Sequence, residues 1–167
     1  MAYHYEMHAH GAGMTLLRAL ALAGLLAAPF AGCAAPEEVR YDVMATFYPL
    51  QFLAQRIAGE DLKVGAVVPP GVEPHDHEAT PKDLLRIHDA KALVILGASF
   101  ESWLRTAQEQ APATRLVVAT EGLDLRGDPH AWLDPVLAQG MARAIQAGLA
   151  AAYPDRATTL AANADAL

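Results

Sequence analysis

Short apolar runs recur along this chain, and each is followed by a stretch whose apolar residues fall at helical spacing. The runs are 41–47 (YDVMATF), 62–68 (LKVGAVV), 92–97 (ALVILG) and 115–120 (RLVVAT). Between the first two, Leu50, Leu53 and Ile57 lie on one helical face, and Gly59 supplies a stop. Pro69, Pro70 and Gly71 end the second run, since none of them prolongs a strand. Thr80-Pro81 opens the next helix with a hydroxyl cap and a proline in the first turn. FESWLRTAQEQ reads as a further helix. Asp134-Pro135 repeats the cap-plus-proline start for a helix reaching about Tyr153, and Pro154-Asp155 opens another stretch. A helix between two strands carries the chain back to its starting edge, so successive strands run parallel. ALVILG is apolar at every position but the last, as a strand covered on both faces must be. The expected fold is α/β, a four-stranded parallel sheet flanked by helices. At 167 residues the chain has room for one such core.

Lys and Arg number 12 against 19 Asp and Glu, a formal charge of -7. A phosphate backbone needs clustered cations, so nucleic acid is not the expected partner. The single cysteine, Cys33, excludes an internal disulfide and a thiolate cluster. Its setting is MTLLRALALAGLLAAPFAGCAAPEE: a start at Met14, a positive Arg18, an apolar run, then small residues up to the cysteine. Those are the regions of a secretory signal, assigned to 1–33. The ending FAGC resembles a bacterial lipobox, with Phe30 in place of the usual leucine, which makes Cys33 the expected lipidation site. His4, His8 and His10 precede Met14 and are set aside with the signal. Beyond it no tract is long enough for a membrane-spanning helix.

His75, His77, His88 and His130 remain. Ligands of a parallel sheet sit at the carboxyl ends of its strands. The loop after the second run carries His75 in PHDHE, and the loop after the fourth carries His130 in DPHAWLDP. Imidazole suits zinc and other first-row divalent ions, with carboxylates completing such sites. Taken alone, PHDHE is equally a solvated polar turn. The paired Asp-Pro steps around His130 stiffen its loop, as a ligand requires and a surface turn does not.

PPGVEPHDHEATPKDL, FESWL and DPHAWLDP, in that order behind a lipobox-like signal, resemble the solute-binding lipoproteins of ABC-type zinc and manganese importers. The resemblance spans 33–167. It implies two α/β lobes joined by a long helix, with the metal between them. Residues 34–153 would be the N-terminal lobe, and 154–167 the start of the inter-lobe helix. His75 and His130 match the family's first two metal ligands, and the other two belong to a second lobe. His77 stands where the family usually has an aromatic residue, which makes it a packing group, an outer support or a weak ligand. Glu78 and Asp134 are the carboxylates expected to orient imidazoles, with a helix cap the preferred role for Asp134. His88 is expected to be an ordinary helix residue, and Glu101 and Trp103 to pack near the site. The implied function is extracytoplasmic capture of zinc, or alternatively manganese, by a lipid-anchored protein that passes it to a membrane permease.

Two other classes compete. Some members of the family carry adhesin names, so a surface adhesion or interaction lipoprotein is one alternative. A metallo-hydrolase fragment is the other, but its His-x-His-x-Asp-His pattern fails at Ala79 and Thr80. No Gly-x-Ser-x-Gly elbow or glycine-rich phosphate loop is present, so an enzyme is not expected.

Overall fold

In the computed structural model, residues 39–97 and 100–167 are described; the signal-like segment, Cys33, His4, His8 and His10 lie outside them. The elements run β1 (Val43–Ala45), α1 (Tyr48–Ala58), β2 (Val64–Ala66), α2 (Pro81–Asp89), β3 (Ala92–Ile95), α3 (Leu104–Gln110), β4 (Arg115–Val118), α4 (Pro135–Ala152) and α5 (Ala157–Asp165). Short 3-10 turns at Pro74–Asp76, Ala131–Leu133 and Pro154–Arg156 punctuate the loops. The four strands form one sheet in the order β2-β1-β3-β4. Every pair is parallel, with Val43 opposite both Val64 and Ala92, and Ala92 opposite Arg115. This is the α/β architecture expected from the apolar runs.

The chain steps outward from β1 to β2, then crosses back over β1 to β3 and β4. That reversal opens a crevice at the carboxyl ends of β1 and β3. Right-handed crossovers in opposite directions place α1 on one face and α2 and α3 on the other. The core divides accordingly. Val43, Ala45, Ala92, Val94 and Val117 pack with Leu50 and Ile57 of α1, Ile145 and Leu149 of α4, and Leu160 of α5. Met44, Leu93 and Ile95 face Ile87 of α2 and Leu104 of α3. Alternate residues of each strand serve opposite cores, as a pleated strand requires.

The helix starts at Thr80-Pro81 and Asp134-Pro135 are both capped. Thr80 Oγ accepts from Asp83 N at 3.2 Å while Asp83 Oδ2 accepts from Thr80 N at 3.0 Å, a reciprocal box. The helix expected from FESWL begins late, at Leu104. Glu101 turns back onto the end of β3 instead of continuing a helical turn, accepting from Leu96 N and Gly97 N. The segment after Pro154 packs on this same unit. Leu160 and Ala164 of α5 are buried, and Asn163 Nδ2 donates to Ile57 O at 3.0 Å. No helix among the described residues is long and apolar enough to cross a membrane.

At Gly148, α4 lies directly against β4. A Cβ there would lie 2.7 Å from Val117 Cγ2 and 3.0 Å from Val117 Cβ, both on a buried side chain with little rotamer freedom. In an open helix Gly148→Ala would gain about 1 kcal/mol. Here overpacking costs about 1–3 kcal/mol and prevails. Urea denaturation should show Gly148→Ala less stable by roughly 1 kcal/mol at an unchanged slope. A stabilised variant would mean that α4 stands further from β4 than described.

Candidate metal centre

His75 lies in the 3-10 turn after β2, where Glu73 caps the turn by accepting from His75 N at 3.4 Å. The loop after β4 reverses at Arg126 (φ 50) and Gly127 (φ 83), both in the left-handed region. That reversal leads into Asp128-Pro129-His130. Asp128 Oδ1 accepts from His130 N at 3.0 Å and meets His130 Nδ1 at 2.6 Å. These bonds to the backbone and then to the ring hold the Asp128 carboxyl below its ordinary range. An ionised carboxylate only accepts, so Nδ1 carries the proton and Nε2 is left as the ring's lone-pair donor.

The two loops converge. The rings of His75 and His130 stand 5.7 Å apart, centre to centre, inclined at 64°. Two imidazoles on one tetrahedral ion, bound at about 2 Å, place their ring centres roughly 5 Å apart. The observed spacing fits a shared ion with a small closing movement. His130 keeps 43% of its side chain exposed, so an ion can reach it from solvent. Among the described residues, no group of three or more His, Cys, Asp or Glu is arranged to hold a metal. The arrangement is a pair of nitrogen donors.

An aromatic floor supports the pair. Phe47, just beyond β1, stacks on Phe100 at 5.3 Å and meets the edge of Trp132 at 4.8 Å. Phe100 lies 4.5 Å from His75, and Trp132 lies 5.2 Å from His130. Below the floor, Glu101 is 2% exposed, and its carboxylate accepts from Leu96 N at 2.7 Å, Gly97 N at 3.1 Å and Thr46 Oγ at 2.9 Å. Burial pushes its pKa up, and these hydrogen bonds only partly oppose that.

The remaining candidates are placed differently. His77 Nε2 is buried without a hydrogen bond, 3.5 Å from Asp83 Oδ2, which puts the ring against α2. Glu78 meets Ser102 Oγ at 3.3 Å, so the carboxylate that orients an imidazole is Asp128 and not Glu78. Asp134 caps α4, accepting from Val136 N at 2.7 Å and Leu137 N at 3.2 Å. His88 is exposed beside Asp89 on the last turn of α2. Trp103 belongs to the core on the α2–α3 face, and Glu101 is a hydrogen-bonded clamp where simple packing had been expected. Asp128 had a sequence signal that went unread: an Asp two residues before its partner forms an Asx turn. Phe47 and Phe100 had none, because only the strand order brings them together.

Residues 43–167 match the family described as zinc-uptake complex component A, periplasmic (ZnuA). The high-affinity zinc uptake system protein ZnuA of Bacillus subtilis is 32% identical over 146 residues, covering 74% of this chain and 46% of that protein. The zinc-binding lipoprotein AdcA of Streptococcus pneumoniae serotype 4 is 28% identical, covering 88% of this chain and 34% of that one. The Zn(II)-bound ZnuA-like domain of Streptococcus pneumoniae AdcA aligns in structure with a TM-score of 0.69 at 29% identity, over 77% of this chain and 50% of that one. The metal-dependent lipoprotein YcdH of Bacillus subtilis gives 0.69 at 35% identity, over 74% and 48%. The chain spans about half the length of these relatives or less.

Asp128→Ala should free His130 Nδ1 without touching the fold core. In 15N spectra the ring should pass from a single Nδ1–H tautomer to a mixture. A ring that keeps one tautomer in this variant would assign its orientation to another group.

Proposed function

The chain belongs to the family of periplasmic zinc-uptake component A proteins, and from that premise we propose that it captures zinc outside the cytoplasm through His75 and His130. The observation that supports this most is the convergence of two imidazoles from the loops of β2 and β4, one already fixed in its tautomer by Asp128. Neutral imidazole donors favour zinc, with manganese the alternative where oxygen ligands dominate. The ion is cargo, passed on to an ABC permease in the membrane. A second lobe, joined through a helix that 154–167 opens, supplies the other ligands. Cys33 carries the lipid that holds the protein at the membrane, following a signal cleaved ahead of it. His77 and Glu78 serve the loop that presents His75 and do not themselves bind the ion.

Zinc-dependent thermal stabilisation tests the ligand assignment. A bound ion stabilises by RT ln(1 + [L]/Kd), about 2.7 kcal/mol at a hundredfold excess. His75→Ala and His130→Ala should each remove most of this, whereas His88→Ala should leave it intact. The stabilisation should shrink on acidification, because protons compete with the ion for both nitrogens. Equal losses in all three variants would mean diffuse histidine binding and no defined site.

The anchor is tested separately by fractionation. Cys33→Ser should leave an unprocessed precursor or release the protein from the membrane fraction. Lipid incorporation unchanged by that substitution would overturn the anchoring role.

A further inference from the structure

We propose that Glu101 is a positioning residue of the metal centre, acting through Phe100, whose ring it holds against His75 at the junction of β1 and β3. This rests on the reading of His75 and His130 as the ligand pair.

Three observations converge on it. The Glu101 carboxylate bridges two strand ends: Oε1 accepts from Leu96 N and from Thr46 Oγ, and Oε2 accepts from Gly97 N. Leu96 and Gly97 follow β3, and Thr46 follows β1, so one side chain fixes both edges of the crevice. Phe100 is tied to the same place, its backbone N donating to Gly97 O at 2.8 Å. Its ring then contacts His75 at 4.5 Å on one side and Phe47 at 5.3 Å on the other. Movement of the 96–97 backbone therefore moves the surface on which His75 rests.

Holding a carboxylate at this position has a cost. A carboxylate taken out of water costs the fold, and the upward shift of its pKa shows that its hydrogen bonds do not fully offset that cost. An apolar residue here would leave the Leu96 and Gly97 amides without this acceptor, so the carboxylate is what joins these strand ends. Groups that burden the fold are tolerated where they arrange a site. Ligands need placement to about 0.5 Å, and a buried three-point hydrogen-bond clamp gives a loop that definition.

The test uses Glu101→Gln, Thr46→Val and Phe100→Leu in the whole chain. Glu101→Gln keeps the size but turns one acceptor oxygen into a donor. Thr46→Val keeps the shape and deletes the hydroxyl, so it serves alone if Glu101→Gln does not fold. The first readout is the ring resonances of His75 in metal-free protein, with His88 as the internal control. Glu101→Gln and Thr46→Val should shift them in the direction that Phe100→Leu does, leaving His88 unmoved. A merely structural role would lower the melting temperature without that shift. The second readout is titration with zinc ion alone. Each variant should weaken binding about tenfold, the low end for outer supports of a ligand. The Glu101→Gln/Phe100→Leu double variant should be no weaker than the worse single one. His75 resonances at their native positions in both Glu101→Gln and Thr46→Val, or losses that add in the double variant, would overturn the proposal while leaving the ligand pair standing. Zinc binding untouched by His75→Ala would remove the ligand reading, and this proposal with it.

Discussion

Where β1 pairs with β3, Met44 stands opposite Leu93 and Thr46 N donates to Val94 O at 3.0 Å, and the floor of the metal centre rests on that junction. These are the inner strands of the sheet, and the chain reverses its direction of travel between them. Phe47 follows the first of them and Phe100 is tied to Gly97 at the end of the second, so the two inner strands supply the aromatic base. The outer strands, β2 and β4, supply the loops that lean inward over it with His75 and His130. Had the order run sequentially, β1 and β3 would not be neighbours and these rings would not meet. The strand order thus does the work of a scaffold, and the side chains finish it.

Each loop is fastened by groups other than the two histidines. The β2 loop leads into α2 through the Thr80–Asp83 box, and His77 lies against the same Asp83 carboxylate, which also receives Arg86 Nη1 at 3.3 Å. The β4 loop is held by Asp128 before the histidine and by Asp134 after it, each carboxylate accepting backbone N–H groups. Ordering a loop costs about 1–2 kcal/mol per residue in backbone entropy. When these bonds form on folding, that cost is met before an ion arrives, and binding free energy is not diminished by it.

Some of this was legible in the sequence because it depends on local chemistry. Thr80-Pro81 and Asp134-Pro135 start helices through bonds made within three residues, so the cap of each could be read from a short window. Alternation within 92–97 was silent because both faces are covered, yet the length of the run and its flanks identified a strand. His75 and His130 could be placed on one edge from the rule for parallel sheets alone. The floor could not: Phe47, Phe100 and Trp132 are separated by tens of residues, and their contact depends on which strand pairs with which. One of the hydrogen bonds of Glu101 was hidden for the same reason. That residue was expected to pack near the site; its donors Leu96 N and Gly97 N are local, and Thr46 Oγ joins them only because β1 lies beside β3. Glu78 and Asp134 were the carboxylates expected to orient imidazoles, but Asp128, two residues before His130 and across a proline, is the one that reaches its ring.

Two imidazoles leave a divalent ion with open positions, and that shapes what the family resemblance adds. A tetrahedral ion held by His75 and His130 presents two remaining sites to whatever faces the crevice. Water can fill them, but water gives neither the charge nor the fixed geometry that makes capture tight. A facing body that brings carboxylate or imidazole converts the ion itself into part of the contact, so closure and affinity become one event. Leu133 and Val136, 73% and 75% exposed, lie at the rim near His130. On the proposed reading, His75 and His130 offer a nitrogen pair arranged by Asp128 and the aromatic floor, and any further donors set how long an ion stays.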